Sequence, residues 1–190
     1  MYVSKLYIRP QLMEKLVNEC PGIVGIKEMT MDLRIFSEMA RLVGDKVSLC
    51  AGCGEPQYSI VGPIPQFKYR DFITVWANFI PEQCYELYQA AEKGDMEGVK
   101  RVMDKYINPL NDLTRREAER HSPGAMVGMV GTTFVSGGMG AGYVLTAIFK
   151  EAMNLMGFNA GVPRLPMLPI TERGRKELAE LLPKLGVSLK

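Results

Sequence analysis

Ile23-Val24-Gly25-Ile26-Lys27-Glu28 is the stretch on which the reading of this chain turns. It is a short β-branched, apolar run with a turn signal, Pro21-Gly22, in front of it, and that pattern marks a buried strand. Lys27 falls where the strand leaves its sheet. In open α/β sheets and in α/β barrels, chemistry is placed at the C-terminal ends of strands. A lysine there, on an apolar strand, is expected to be partly desolvated. Desolvation disfavours the ammonium, and the neutral amine can attack a carbonyl to form a Schiff base. The plainer reading is a lysine that snorkels from the strand end into water, and the strand pattern alone favours it.

The surrounding composition is that of an ordinary globular protein. Hydrophobic residues make up 47% of the 190, charged residues 23%, and the net charge is +2. So small a charge, with signs interspersed, argues against nucleic acid or an anionic membrane as partner. Met1-Tyr2-Val3-Ser4-Lys5 opens no long apolar stretch, so no secretory signal is read and a cytoplasmic location is expected. Four cysteines are then expected as reduced thiols. Cys50-Ala51-Gly52-Cys53 has the spacing of a redox pair or half a zinc site. No second pair matches it, Cys20 and Cys84 stand alone, and His121 is the only histidine. Cys50 is therefore read as a strand residue, and no metal or other cofactor is expected.

Several helices can be placed by periodicity. Pro10 to Cys20 carries Leu12, Leu16, Val17 and Cys20 on one face. Asp32 is a plausible N-cap for a helix through Leu42, with Ile35, Phe36, Met39 and Leu42 inward. A strand from Val47 to Ala51 follows. Val61-Gly62-Pro63-Ile64-Pro65 is poor helix, because proline removes donors and blocks the preceding turn. Pro81 to Ala91 and Asp95 to Ile107 are expected as helices split by Gly94. In the first, Tyr85, Tyr88 and Ala91 form an aromatic stripe expected in the core; in the second Val99, Val102, Met103 and Tyr106 share a face. Thr114 to Arg120 is expected to be mostly solvated. From His121 to Phe149 no residue is formally charged, which raises a membrane span, but seven glycines and Pro123 weaken a continuous helix and no span is expected. The cluster Gly137 to Gly142 fits neither nucleotide-binding glycine pattern and reads as a connection into a helix from Tyr143 to Met156.

Four segments share a further property. Gly22 to Glu28 resembles the Schiff-base strand of the dihydrodipicolinate synthase and N-acetylneuraminate lyase family. Phe72-Ile73-Thr74-Val75-Trp76-Ala77-Asn78-Phe79-Ile80-Pro81-Glu82 resembles that family's last barrel strand. Leu87 to Asp95 with Asn108-Pro109-Leu110, and Lys150 with Gly157 and Arg164 to Thr171, resemble its C-terminal helices. The four occur in the family's order and cover most of residues 20 to 182.

The resemblance implies an α/β fold: the C-terminal part of a TIM (β/α)8 barrel, about three parallel strands, followed by a C-terminal helical region. The division is expected as residues 1–110, a partial barrel segment with the lysine, and 111–190, the helices. A complete barrel takes about 250 residues, so strands are missing. A Gly-Thr-Thr-Gly-Glu-like acid-binding turn is absent, and neither Tyr2 nor Tyr7 stands in the setting of the family's proton-relaying tyrosine. The implied activity is that of a lyase of the class I aldolase type on pyruvate or a related 2-oxo acid. Lys27 is the implied nucleophile, with Ile73, Gly52, Thr74 and Asn78 as substrate-binding candidates. The implied partners are the small 2-oxo acid and either further copies of the chain or a complementary chain. The rival expectation is a non-catalytic or partial chain that needs another to complete the barrel. Lys68-Tyr69-Arg70-Asp71 departs from the family, which has a helix ending in glycine before its last strand; loose or rearranged packing is expected there.

Overall fold

The computed structural model describes residues 8–30, 32–121, 144–165 and 167–190. The charge-free stretch and its glycine cluster fall largely outside them. The described residues form a three-stranded parallel sheet and a series of helices, in two compact units. One unit comprises Met1–Thr74 and Tyr85–Arg101, the other Val75–Cys84 and Val102–Lys190.

The first unit holds the sheet. Helix α1 (Pro10–Glu19) leads to strand β1 (Gly25–Glu28), α2 (Leu33–Val43), β2 (Ser48–Ala51), α3 (Glu55–Val61) and β3 (Tyr69–Phe72). The sheet order is β1-β2-β3, every pairing parallel. Parallel neighbours need a crossover, and α2 and α3 supply the two. Asp32 caps α2 as its sequence predicts, Oδ1 accepting the Arg34 N–H at 2.9 Å. α3 stops at Val61, ahead of Pro63 and Pro65. One face of the sheet lies against the helices. Leu49 and Ala51 are completely buried there, the Phe36 ring meets Tyr69 edge-on at 5.5 Å, and Phe72 stacks on Tyr58 at 4.6 Å. α1 packs on α2 but keeps its apolar face half open: Leu12 and Cys20 are exposed.

The last strand lies earlier than the resemblance places it. Tyr69–Phe72 forms β3, and Trp76–Asn78 is a 3₁₀ turn. Lys68, which stands where a glycine is usual, adopts φ 57°. Its ammonium, 2.6 Å from Asp45, ties that strained turn to the end of α2. The segment expected to be loose or rearranged is thus rearranged into a paired strand.

α4 (Pro81–Glu92) runs from the second unit into the first. Its buried side chains include Cys84, Leu87, Ala90 and Ala91, whereas Tyr85 is 61% exposed. The expected core stripe is thus graded, with Ala91 buried, Tyr88 half-buried and Tyr85 exposed; Tyr85 stacks on Tyr88 at 6.0 Å, and Tyr88 on the buried Tyr58 at 6.2 Å. Helical position sets which residues share a face, but the neighbours decide which face is covered.

The second unit is helical. α5 (Met96–Val102) continues through a π turn, Met103–Ile107, into α6 (Asn108–His121); α7 (Leu145–Leu155) and α8 (Glu172–Leu181) follow. α6 is less solvated than its charges suggest. Thr114 and Ala118 are buried, and Glu117 is completely so. The Glu117 carboxylate accepts the Thr171 N–H at 2.6 Å and its hydroxyl at 3.0 Å, and pairs with Arg120 at 2.7 Å. Thr171 is the N-cap of α8, its oxygen accepting from Gly174 N–H, so one buried carboxylate pins the start of α8 to α6. Among the described residues no helix is long and apolar enough to cross a membrane.

Candidate active site

Lys27 is the third residue of β1, and its side chain lies on the face of the sheet away from the helices. Side chains alternate along a strand: Ile26 and Glu28 are buried on the helix side, while Gly25 and Lys27 are exposed. In register, Lys27 faces Cys50 of β2, and Cys50 faces Asp71 of β3. The open face thus carries a lateral row of amine, thiol and carboxylate. The described residues leave Lys27 exposed, so the burial expected at the strand end is not supplied by them.

Gly52 follows β2 and lies against the lysine. Its N–H donates to Glu28 O at 2.7 Å. A Cβ at Gly52 would come within 2.8 Å of Lys27 Cγ, 2.7 Å of Glu28 O and 2.4 Å of Met29 Cγ. The lysine stem therefore crosses over Gly52, toward β2, through space that only glycine leaves free.

Ile73 directly follows β3. Its N–H donates to Ala51 O at 3.1 Å, and its side chain is 46% exposed. With that N–H occupied, its backbone has the carbonyl to offer, near Gly54 (φ 75°). Thr74 donates its hydroxyl to the buried carboxylate of Glu55. Asn78 belongs to the second unit, where its amide donates to Val75 O at 2.7 Å and closes its own 3₁₀ turn. Lys27, Gly52, Ile73 and Thr74 all lie in the first unit, around the C-terminal ends of its strands.

A polar network behind the sheet fixes this end of β1. Glu28, next to the lysine, accepts the Thr30 N–H at 2.5 Å and the Gln57 amide at 3.1 Å, with Tyr69 Oη 3.5 Å away. Gln57 in turn accepts the Cys53 N–H at 2.8 Å. Burial raises the Glu28 carboxyl above its ordinary range, against the lowering effect of these bonds. Burial also pushes the Cys50 thiol up to about 12, helped by Asp71, and the Cys53 thiol up to about 11, helped by the Glu28 charge. Thiols held protonated in this way are poor nucleophiles and poor metal ligands.

Sequence periodicity misses Asp71. Plain alternation puts Tyr69 and Asp71 on one face, but the register shifts between Leu49 and Cys50: Leu49 faces Tyr69, and Cys50 faces Asp71. Arg70 is the extra residue of a bulge, and a bulge re-aims the side chains beyond it. Tyr69 consequently points to the helices and Asp71 to the open face, where Ser48 Oγ donates to its Oδ2 at 2.9 Å.

The pattern of the dihydrodipicolinate synthetase family matches residues 3–124 of this chain. The chain belongs to that family. A "Probable 5-dehydro-4-deoxyglucarate dehydratase" from Pseudomonas putida is 25% identical over 184 residues, 94% of this chain and 51% of the relative. A 4-hydroxy-tetrahydrodipicolinate synthase from Thermodesulfovibrio yellowstonii is 29% identical over 184 residues, 97% of this chain and 52% of the relative. The crystal structure of the Aquifex aeolicus dihydrodipicolinate synthase superposes with a TM-score of 0.67 at 22% identity, covering 96% of this chain and 52% of that one. The chain spans about half the length of the curated relatives it matches. As a member of the dihydrodipicolinate synthetase family it carries the C-terminal part of a (β/α)8 barrel with the helices that follow.

Proposed function

We propose that this chain carries the Schiff-base part of a lyase that acts on pyruvate or a related 2-oxo acid, with Lys27 as the nucleophile. The observation that carries the reading is the placement of Lys27: at the C-terminal end of a parallel strand, on the open face, its stem over Gly52. The neutral amine adds to the keto carbon of the acid. Loss of water leaves an iminium, and its positive nitrogen draws electrons from the neighbouring carbon. Release of a proton there gives an enamine, which adds to an aldehyde or expels a leaving group. Ile73 and Thr74 border the same strand ends and are the candidates for holding the acid; Gly52 lets it approach the backbone.

A second reading has its own support. β1 and β3 each pair on one side only among the described residues, and open parallel edges are covered in folded proteins. On this reading a further copy or a complementary chain supplies the remaining barrel, and the isolated chain turns over feebly.

The deciding experiment is borohydride reduction in the presence of pyruvate, followed by mass spectrometry. A stable adduct on Lys27, lost in Lys27→Ala, is the expected result. An adduct that survives the substitution, or its absence from the wild type, overturns the nucleophile assignment.

A further inference from the structure

We infer that Gln57 is a positioning residue for Lys27: from behind the sheet, its side chain joins the strand end that carries the lysine to the loop that carries Gly52. This rests on the Schiff-base reading above.

The Lys27 stem passes over Gly52, so its direction depends on how the ends of β1 and β2 sit against each other. Two contacts to backbone hold those ends. Gly52 N–H donates to Glu28 O at 2.7 Å, and Cys53 Sγ donates to Met29 O at 3.5 Å. Gln57, completely buried, adds a link through its side chain. Its Oε1 accepts the N–H of Cys53, the neighbour of Gly52, at 2.8 Å. Its Nε2 donates to the carboxylate of Glu28, the neighbour of Lys27, at 3.1 Å. The amide fits in this orientation only, because the backbone N–H needs an acceptor and the carboxylate a donor. Side chains alternate along β1, so Glu28 faces the helices while Lys27 faces the open side. Gln57 thus acts on the lysine through the strand and does not share a face with substrate.

Gln57 also has a local role. It is the third residue of α3, and a glutamine there that reaches back to a backbone N–H caps the helix start. Capping accounts for the bond to Cys53. It does not account for the bond to Glu28, which belongs to a different strand and a distant part of the chain. Without the link, Glu28 loses a donor and the Cys53 N–H its acceptor. Both residues are buried, so the two strand ends must shift until other partners reach them. A misplacement of about 1 Å at a reacting group can cost on the order of 100-fold in rate.

The test uses the full chain with pyruvate at a concentration that saturates the wild type. Cyanoborohydride traps the imine, mass spectrometry follows the adduct on Lys27, and circular dichroism gives the folded fraction. Gln57→Met fills the space without either bond, and is expected to slow trapping per folded chain by about 10- to 100-fold. Gln57→Glu is the conservative variant. While a proton is shared, the introduced carboxyl keeps both bonds: one oxygen accepts from Cys53 and the other donates to Glu28. Once both carboxyls ionise they repel, and the link is lost. The rate of Gln57→Glu relative to wild type is therefore expected to be near unity at about pH 5 and to fall toward that of Gln57→Met by about pH 9. A residue that only stabilises the fold changes the folded fraction and leaves this ratio, taken per folded chain, unmoved. A wild-type rate per folded chain in Gln57→Met, or a ratio in Gln57→Glu that stays flat with pH, overturns the role of Gln57 and leaves Lys27 standing. Should Gln57→Met fail to fold, the Gln57→Glu profile decides alone. A wild type that forms no adduct overturns the Schiff-base reading and this inference with it.

Discussion

Gly52 and Lys27 are fitted to each other: a methyl group on the glycine would lie 2.8 Å from Lys27 Cγ and 2.7 Å from Glu28 O. The second clash is with backbone and is not relieved by a rotamer change. Gly52→Ala is therefore expected to cost about 1–3 kcal/mol of stability and to push the lysine stem aside. Urea denaturation measures the first effect and borohydride trapping the second. An alanine variant as stable as the wild type would show that the β2 loop yields at little cost.

Glu28 makes the stability depend on pH. Its carboxyl is raised from 4.5 by burial, so the folded state binds the proton more tightly than the unfolded one. The contribution is fully present below the unfolded value and is lost as pH rises through the folded one. Denaturation midpoints of the wild type and Glu28→Gln, compared from about pH 4 to about pH 8, are expected to diverge. The wild type loses stability relative to the variant on the alkaline side of 4.5. Parallel curves would remove Glu28 as the cause.

Alkylation distinguishes the cysteines. The thiolate is the reactive form, and Cys50 and Cys53 ionise only near 12 and 11, whereas Cys20 is exposed. Iodoacetamide at mildly alkaline pH is expected to modify Cys20 first and to reach Cys50 and Cys53 only after unfolding. Peptide mapping at timed intervals reads the order, and early loss of Cys53 contradicts it.

Glu117 is completely buried and serves Thr171 and Arg120 together. Glu117→Ala strands these donors and releases the start of α8. The expected loss is about 3–5 kcal/mol, measured by chemical denaturation. A loss under about 1 kcal/mol, the ordinary worth of an exposed ion pair, would mean that water replaces the carboxylate.

Lys68 holds a left-handed conformation at φ 57°, which costs a side-chain-bearing residue roughly 1–2 kcal/mol. Its pair with the exposed Asp45 returns little of that. Lys68→Gly is expected to leave stability unchanged or raise it by up to about 1 kcal/mol, read from thermal melts. A clear loss would mean that the ion pair outweighs the strain.

The sequence by itself determined the parts set by local pattern. Ile23 to Glu28 marks a strand, Asp32 a cap, Pro63 and Pro65 a stretch that resists helix. The order of the resembling segments placed Lys27 at a strand end with Gly52 above the next strand. Each of these depends on residues close in the chain, or on the order of segments that carries the resemblance. Tertiary structure decided the rest. The bulge at Arg70 reverses which of Tyr69 and Asp71 faces Cys50, and alternation cannot foresee an inserted residue. Tyr85 and Glu117 exchange their expected surroundings, the tyrosine exposed and the carboxylate buried. Burial depends on which element packs across a face, and a charge is tolerated inside when donors from a distant segment, here Thr171 beside Arg120, converge on it.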